Sequence, residues 1–202
     1  MRVAAITHGS RTNGPGRRSV LHLQGCHVGC GGCFAKHLWD PAGGTEMDVA
    51  EVARQLLVWL PDGVACSGGE PLEQASELLA LLRLLRDARP FAAFKPRAVL
   101  PMGVVLYSGL TARQRDCVPE WPEIWSLVDA AVLGPFAAQR ALSPVVGLRS
   151  SSNQELVVRP GGRLTLEELM GRAPQIEVQF GTEAVVMGFP TESALAALKE
   201  IG

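Results

Sequence analysis

The sequence predicts an α/β protein with a mostly parallel sheet. Segments of β character alternate with helical ones along most of the chain, and this alternation implies right-handed crossovers between parallel strands. Of the 202 residues, 47% are hydrophobic and 19% are charged, which is typical of an ordered globular protein. No internal repeat or long linker divides the chain, so we expect a single domain over residues 1–202.

The first half of the chain contains short apolar strands and two amphipathic or apolar helices. A turn rich in glycine and proline separates the first two strands, and the second strand leads into a group of cysteines. Thr45 is suited to a helix N-cap, with Asp48 in the capping-box position, and the apolar residues after it recur with helical spacing. The elements predicted in this half are strands 2–7, 19–24 and 64–67 and helices 46–60 and 72–89.

The second half continues the alternation and then changes character. Three further apolar segments predict strands, and a short helix lies between the first two of them. In the tail, two β-rich segments flank Gly181-Thr182-Glu183, which indicates a small hairpin, and a last helix follows Pro190. The elements predicted in this half are strands 103–107, 127–133 and 155–159, helix 111–116, hairpin strands 175–180 and 184–187, and helix 192–201.

Composition excludes several classes of partner and location. The formal net charge of −1 gives no reason to expect a nucleic acid or an anionic membrane as partner. No window reaches about 18 uninterrupted apolar residues, and the chain start does not resemble a secretory signal. Three of the five cysteines lie within eight residues. We therefore expect a cytoplasmic protein whose cysteines bind metal or stay free.

The three clustered cysteines predict a metal site. Cys26, Cys30 and Cys33 have the spacing C-x3-C-x2-C on one tight loop. An ordinary [4Fe–4S] cluster is held by four cysteines, so three would leave one iron with an open position at which a substrate could bind. The alternative is a structural zinc site, with His27 or His37 as the fourth ligand.

A second loop with unusual chemistry follows the strand predicted at residues 64–67. Its sequence is Ser67-Gly68-Gly69-Glu70-Pro71, in which the glycines allow close approach to the backbone and Glu70 offers a carboxylate to a cation. In parallel sheets, ligands bind at the carboxyl ends of the strands. This loop and the cysteines are therefore expected to face one small zwitterionic ligand, although the loop alone could simply begin a helix with Pro71 at N1.

Further candidates lie at other predicted strand ends. Tyr107 and Ser108 could border the ligand or could pack in the core. Asp129 is either a carboxylate on the ligand side or an ordinary acid at the end of a strand. Ser151, Ser152, Asn153 and Gln154 could hydrogen-bond a ribose or a carboxylate, or could form a plain Ser/Asn turn.

These motifs resemble the radical S-adenosylmethionine (SAM) superfamily. Within it, the chain is similar to the glycyl-radical-enzyme activating enzymes, and especially to the activating proteins of anaerobic ribonucleoside-triphosphate reductase. The resemblance runs from about residue 13 to residue 159, with residues 160–202 as a C-terminal extension. The matching segments are residues 13–17, 21–26, Cys30, Cys33, Phe34, 37–40, 67–72, 106–109, 127–136 and 148–154.

The resemblance implies a fold, a chemistry and partners. It implies a partial (β/α)6-type barrel with cofactors at the carboxyl ends of the strands. Cys26, Cys30 and Cys33 would ligate a [4Fe–4S] cluster, and residues 68–70 would hold the methionyl amine of SAM. Reductive cleavage of SAM would give a 5′-deoxyadenosyl radical that takes a hydrogen from a glycine of a partner glycyl radical enzyme. Flavodoxin or ferredoxin would donate the electron.

Two alternatives stay open at this stage. Leu133 stands where these activases carry an aspartate, and Glu155 stands where they tend to carry a basic residue. Both departures leave room for a radical SAM enzyme that acts on a small molecule or a ribosomal peptide. The alternative from another class is a non-catalytic iron–sulfur electron carrier or a zinc-binding module, neither of which would use SAM.

Overall fold

The computed structural model describes residues 1–87, 103–171, 176–180 and 184–188. Its centre is a seven-stranded mixed sheet with the strand order β3-β1-β2-β4-β5-β6-β9, and two separate two-stranded sheets accompany it. The strands are β1 (Arg2–Ser10), β2 (Arg18–Leu23), β3 (Thr45–Glu46), β4 (Gly63–Gly68), β5 (Gly103–Ser108), β6 (Ala130–Leu133), β7 (Ala141–Val146), β8 (Arg149–Ser151), β9 (Glu155–Val158), β10 (Ile176–Phe180) and β11 (Ala184–Gly188).

The α-helices are short, and a 3₁₀ helix over Pro71–Gln74 precedes the longest of them. That longest helix has 13 residues, and none of the helices in the described residues could cross a bilayer. The first helix is capped by Asp48, which accepts hydrogen bonds from the backbone N–H groups of Ala50 and Glu51. The α-helices are α1 (Val49–Leu57), α2 (Ala75–Asp87), α3 (Ala112–Arg115), α4 (Trp121–Leu127) and α5 (Leu166–Met170).

The four central strands are parallel, and the carboxyl ends of all four meet at one edge of the sheet. β2, β4, β5 and β6 are consecutive neighbours with parallel register, for example Leu23 opposite Gly68 and Ser108 opposite Leu133. β1, β3 and β9 complete the sheet through antiparallel pairings. The expected α/β class with a mostly parallel sheet core is confirmed, but the expected barrel of six parallel strands is not.

The two faces of the sheet are covered differently. One face packs against α1, α2 and α4, with fully buried contacts such as Leu21, Leu56 and Leu82. Because the order β2-β4-β5-β6 always advances in one direction, right-handed crossovers place their helices on the same face. The other face packs against residues that follow β6, including Leu148 and Leu169. The crossover helices and the residues after β6 therefore lie on opposite faces of the sheet.

Several predicted elements are corrected by the structure. Thr45 is part of β3 and not an N-cap, and the predicted helix 46–60 begins later, after its N-cap Asp48. The β7–β8 hairpin and α4 were not expected from the sequence, whereas the hairpin formed by β10 and β11 is confirmed. The helix predicted at residues 192–201 lies outside the described residues. The division into a core of residues 13–159 and an extension of residues 160–202 stays a prediction.

Candidate active site

The cysteine loop, residues 25–34, leaves the carboxyl end of β2 and is fixed at its entry by backbone hydrogen bonds. Gly25 N donates to Leu38 O at 2.8 Å, and Cys26 N donates to Trp39 O at 3.1 Å. Further along, Cys33 N donates to Cys30 O at 3.2 Å. The three cysteines are partly exposed, in contrast to Cys66, which is fully buried in β4.

Two of the three thiols receive backbone N–H groups. Cys26 accepts from Val28 and Gly29, and Cys30 accepts from Phe136. Burial nevertheless raises the pKa of both thiols above the ordinary value. A bound cation removes that penalty because it offsets the charge of the thiolate, and N–H donors to sulfur are typical of iron–sulfur sites. The donor set therefore fits a cluster held by three thiolates.

The GGE loop, residues 67–71, packs directly against the entry of the cysteine loop. Gly68 has a φ of +101°, and a Cβ there would lie 2.4 Å from the backbone N of Leu23. A Cβ on Gly69 would lie 2.1 Å from Gly25 O. Both glycines are thus required by the contact between the two loops, in which Glu70 N donates to Gly25 O at 2.8 Å.

Glu70 is the one acidic side chain of the GGE loop, and its carboxylate is only 1% exposed. Its Oε1 accepts from Leu72 N at 3.0 Å and from the Ser108 hydroxyl at 2.9 Å, and its Oε2 accepts from Gly109 N at 2.7 Å. Burial raises the pKa of this carboxyl to about 7, against the effect of these three donors. No salt bridge to Glu70 occurs within the described part of the chain.

Both loops line one cleft at the carboxyl edge of the sheet. The cleft has a volume of about 130 Å³, too small to enclose a cluster and SAM together, so its residues form the floor of an open site. Two larger clefts, of about 520 and 550 Å³, lie towards the amino ends of the strands and contain no cysteine. The cleft between the loops is lined by Cys26, Val28, Cys30, Cys33, Trp39, Ser67, Gly68, Gly69, Glu70, Tyr107, Ser108, Gly109, Val132, Gly134, Phe136 and Gln154.

Of the further candidates, Tyr107, Ser108 and Gln154 lie in this cleft, whereas Pro71, Asp129, Ser151, Ser152 and Asn153 do not line it. Pro71 begins the 3₁₀ helix and is buried beneath the loop. Ser152 is exposed in the turn between β8 and β9. Asn153 donates through its side-chain amide to Pro135 O at 2.7 Å and so supports the segment after β6.

Asp129 is corrected by its position at the amino end of β6, the opposite edge of the sheet from both loops. It is fully buried, and its carboxylate contacts Arg86 at 2.8 Å and Arg159 at 3.3 Å. It also accepts from the backbone N–H groups of Val104 and Arg163. Burial alone would raise its pKa, but these donors hold the pKa below its ordinary value. Asp129 is therefore a structural ion-pair centre rather than a ligand-side group.

Several lining residues were missed because no local pattern identifies them. Trp39 enters the cleft because its carbonyl anchors Cys26, and Phe136 enters because its N–H reaches Cys30. Gly109 was passed over although it follows Ser108 directly, and its N–H binds Glu70. Gln154, in contrast, was a candidate from the sequence, and in the cleft its Nε2 donates to Gly134 O at 3.2 Å. The sequence signal that could have identified such residues is their position near the carboxyl ends of the strands.

The zinc alternative finds no support from the histidine nearest the cysteines. The His27 ring points to Glu73, with Nδ1 at 2.8 Å from Oε2. In the ranges that the structure describes, no three histidine, cysteine, aspartate or glutamate side chains are placed to hold a single metal ion. A cubane makes a different demand, because each thiolate binds its own iron.

Comparison with known proteins agrees with this geometry. The family described as "4Fe-4S single cluster domain" matches residues 12–157. The pyruvate formate-lyase-activating enzyme of Clostridium pasteurianum is 35% identical over 92 residues, which are 43% of this chain and 39% of that protein. The anaerobic ribonucleoside-triphosphate reductase-activating protein of Vibrio cholerae is 28% identical over 148 residues, 70% of this chain and 88% of that protein.

The fold and the family match thus define an α/β iron–sulfur protein with a three-cysteine loop at the carboxyl edge of its sheet. The chain belongs to the 4Fe-4S single cluster domain family. It is similar to the radical SAM enzymes that activate glycyl radical enzymes, whose cofactors are a [4Fe–4S] cluster and SAM. The chain spans about two fifths of the pyruvate formate-lyase-activating relatives that it matches, but most of the reductase-activating one.

Proposed function

We propose that this protein is an activase that generates a glycyl radical on a partner enzyme. The three cysteines of the cysteine loop would hold the cluster, and the GGE loop would hold the methionyl amine of SAM. When bound, the two cofactors would supply one-electron reductive cleavage of the S–C5′ bond of SAM, which would give methionine and, with the glycine α-hydrogen transferred, 5′-deoxyadenosine.

One observation carries the proposal: three partly exposed thiols line the same cleft as a buried carboxylate that forms no salt bridge with any described residue. An isolated carboxylate in a low-dielectric site favours a cationic ligand, because the cation offsets the cost of burying the charge. The SAM amine is such a cation when protonated. Glu70 is therefore suited to orient SAM, while Ser108 and Gly109 hold the carboxylate in place.

The remaining walls of the cleft would orient the cofactors and exclude water. The backbone N–H of Phe136 stabilises charge on Cys30, and the N–H groups of Val28 and Gly29 do so on Cys26. Trp39 contributes an apolar surface beside the thiols. Removing water strengthens these electrostatic interactions and protects a reactive radical.

The open form of the cleft suits a protein substrate. Its described residues leave the space above the floor accessible, so that a glycine-bearing loop of a partner could enter. The relatives are named for activating pyruvate formate-lyase and anaerobic ribonucleoside-triphosphate reductase, which supports a glycyl radical enzyme as partner. The proposed electron donor is a flavodoxin or a ferredoxin.

The test is an anaerobic assay on protein reconstituted with iron and sulfide and reduced with dithionite. We expect cluster-dependent formation of 5′-deoxyadenosine from SAM. Glu70→Gln should keep normal iron content but bind SAM at least about tenfold more weakly, because a neutral amide replaces the charged acceptor of the SAM amine. Glu77→Gln, at an exposed position of α2, is the matched control and should behave as the wild type.

Two outcomes would contradict the cofactor assignments. A [4Fe–4S] cluster whose EPR spectrum does not change with SAM would favour an electron carrier. Loss of iron in Glu70→Gln would mean that the GGE loop serves the cluster loop rather than SAM. Cleavage of SAM combined with hydrogen transfer to a small molecule or a ribosomal peptide, and none to a glycyl radical enzyme, would overturn the partner assignment.

A further inference from the structure

A second acidic side chain joins the two loops of the site. Glu73 lies on the 3₁₀ helix that follows the GGE loop, three residues after Glu70. Its Oε1 accepts from the backbone N of His27 at 2.7 Å, and its Oε2 lies 2.8 Å from the His27 ring Nδ1. His27 directly follows Cys26 on the cysteine loop. One carboxylate therefore holds the backbone next to a predicted cluster ligand.

This contact extends a series of hydrogen bonds between the two loops. Gly69 N donates to Leu23 O at 2.8 Å, and Glu70 N donates to Gly25 O at 2.8 Å. Gln74 adds a side-chain hydrogen bond from Nε2 to Gln24 O at 2.9 Å. These three bonds fix the chain before Cys26. The bond from His27 to Glu73 continues the series beyond the first cysteine, towards Cys30.

The backbone bond should matter more than the contact with the ring. The His27 side chain is 74% exposed, so its interaction with the carboxylate is weakened by water and salt. The Glu73 side chain is only 26% exposed, and a carboxylate that accepts a backbone N–H forms a charge-assisted hydrogen bond. That bond restrains the peptide between two cysteines, whatever side chain residue 27 carries.

We infer that Glu73 is a positioning residue, which holds the cysteine loop against the GGE loop through the backbone N–H of His27. The inference rests on the proposed function, because it assigns Glu73 the task of setting the cluster relative to SAM. Glu70 is the N-cap of the 3₁₀ helix, and Glu73 lies in its first turn. In this arrangement, Glu70 would bind the amine of SAM, and Glu73, on the same turn, binds the cysteine loop.

The experiment compares Glu73→Ala, Glu73→Gln and His27→Ala with the control Glu77→Ala, all reconstituted with iron. The measurements are iron content, SAM affinity, the SAM-induced change in the EPR spectrum of the reduced cluster, and hydrogen exchange of the His27 amide. We expect Glu73→Ala to keep its iron, to bind SAM about tenfold more weakly with a diminished spectral change, and to exchange this amide faster. The other three variants should stay close to the wild type. In Glu73→Gln, the side-chain carbonyl that replaces the carboxylate can still accept from the amide.

Each remaining outcome overturns the inference. Unchanged SAM affinity, EPR spectrum and amide exchange in Glu73→Ala would show that the hydrogen bond between Glu73 and the His27 amide has no influence on the site. An equal loss in His27→Ala would assign the effect to the ring rather than to the backbone. If Glu73→Ala does not fold, Glu73→Gln is compared with wild type, and a loss of SAM affinity there excludes the backbone mechanism.

The two proposals fail in different ways. If SAM leaves the wild-type EPR spectrum unchanged, the proposed function fails. Amide exchange at His27 can be measured without SAM. An unchanged exchange rate in Glu73→Ala would therefore refute the positioning role of Glu73 independently of the proposed function.

Discussion

Two buried carboxylates at opposite edges of the same sheet differ in what surrounds them. Asp129, at the amino end of β6, is enclosed by two arginines and two backbone N–H groups, and its pKa is lowered. Glu70, at the carboxyl end of β4, accepts three hydrogen bonds from uncharged donors, and burial raises its pKa to about 7. Within the residues that the structure describes, arginines neutralise the first carboxylate and none neutralises the second.

This difference separates a structural acid from a ligand-binding one. A buried charge that the protein compensates internally contributes to the fold, whereas one that lacks a counter-charge and lines a cleft is a candidate to bind a cation. The sequence alone shows only two acids near strand ends. The arginines that reach Asp129 come from α2 and from the end of β9, both distant in sequence.

The largest expected effect tests whether the carboxyl edge holds a cluster. Cys30→Ala should abolish both the [4Fe–4S] absorption and the cleavage of SAM, because a cluster held by three thiolates would be left with two. The change also removes the thiol that accepts the Phe136 N–H. Iron analysis and the 5′-deoxyadenosine assay measure this. Cys117→Ala, at an exposed position, is the control and should retain both. Retained SAM cleavage in Cys30→Ala would refute the cluster assignment.

The next effect concerns the amino edge. Asp129→Asn should destabilise the fold by about 3–5 kcal/mol, because it leaves two arginines around a buried uncharged side chain. Urea unfolding of the apoprotein measures the change in the free energy of unfolding. SAM affinity of the folded, cluster-loaded fraction should be unchanged, and Asp87→Asn at the exposed end of α2 should have little effect on either. A specific loss of SAM affinity would return Asp129 to the site.

The pH dependence of stability sharpens the comparison. The folded pKa of Glu70, about 7, lies above the ordinary value of 4.5, so its contribution is present below pH 4.5 and is lost as the pH rises through about 7. We expect the free energy of unfolding to lose about 3 kcal/mol over this range from Glu70 alone. Unfolding curves at pH 5 and pH 8 should show this component in wild type and in Glu77→Gln, but not in Glu70→Gln. Identical pH profiles for all three would contradict the raised pKa.

The smallest expected effect concerns the support of Glu70. Ser108→Ala removes the hydroxyl that donates to Glu70 Oε1 and accepts from Leu110 N at 3.2 Å, which should cost about 1 kcal/mol. SAM affinity should fall a few-fold with normal iron content, as titration and iron analysis would show. Ser126→Ala removes an exposed hydroxyl on α4 and should change neither. An undiminished affinity in Ser108→Ala would mean that Gly109 and Leu72 suffice to hold Glu70.

The local parts of the site could be predicted from the sequence. The cysteine loop and the GGE loop are short motifs at the ends of two adjacent parallel strands, so the topology alone brings them together. Asp129 was misplaced because α4 ends at Leu127 and β6 begins only at Ala130, which puts this acid before the strand. Whether a residue lies at the amino or the carboxyl edge of the sheet depends on whether it precedes or follows its strand. The residue type alone does not determine this.

The rest of the fold depended on contacts between distant segments. The segment that became β9 was expected to continue the parallel sheet, yet it pairs antiparallel with β6. The hairpin of β7 and β8 occupies the place of a crossover helix, and the chain therefore returns alongside β6 in the opposite direction. The absence of a helical period between the two strands was the available signal. Trp39 and Phe136 reach the cleft only through backbone bonds to the cysteine loop.

The single 3₁₀ turn after the GGE loop has a consequence for how sequences of this kind can diverge. Glu70, Glu73 and Gln74 each contact a different part of the molecule, and their directions depend on the number of residues between them. Inserting or deleting one residue here would rotate every later contact by about a third of a turn. We therefore expect evolutionary drift to change the chemistry of these side chains more readily than the length of the segment.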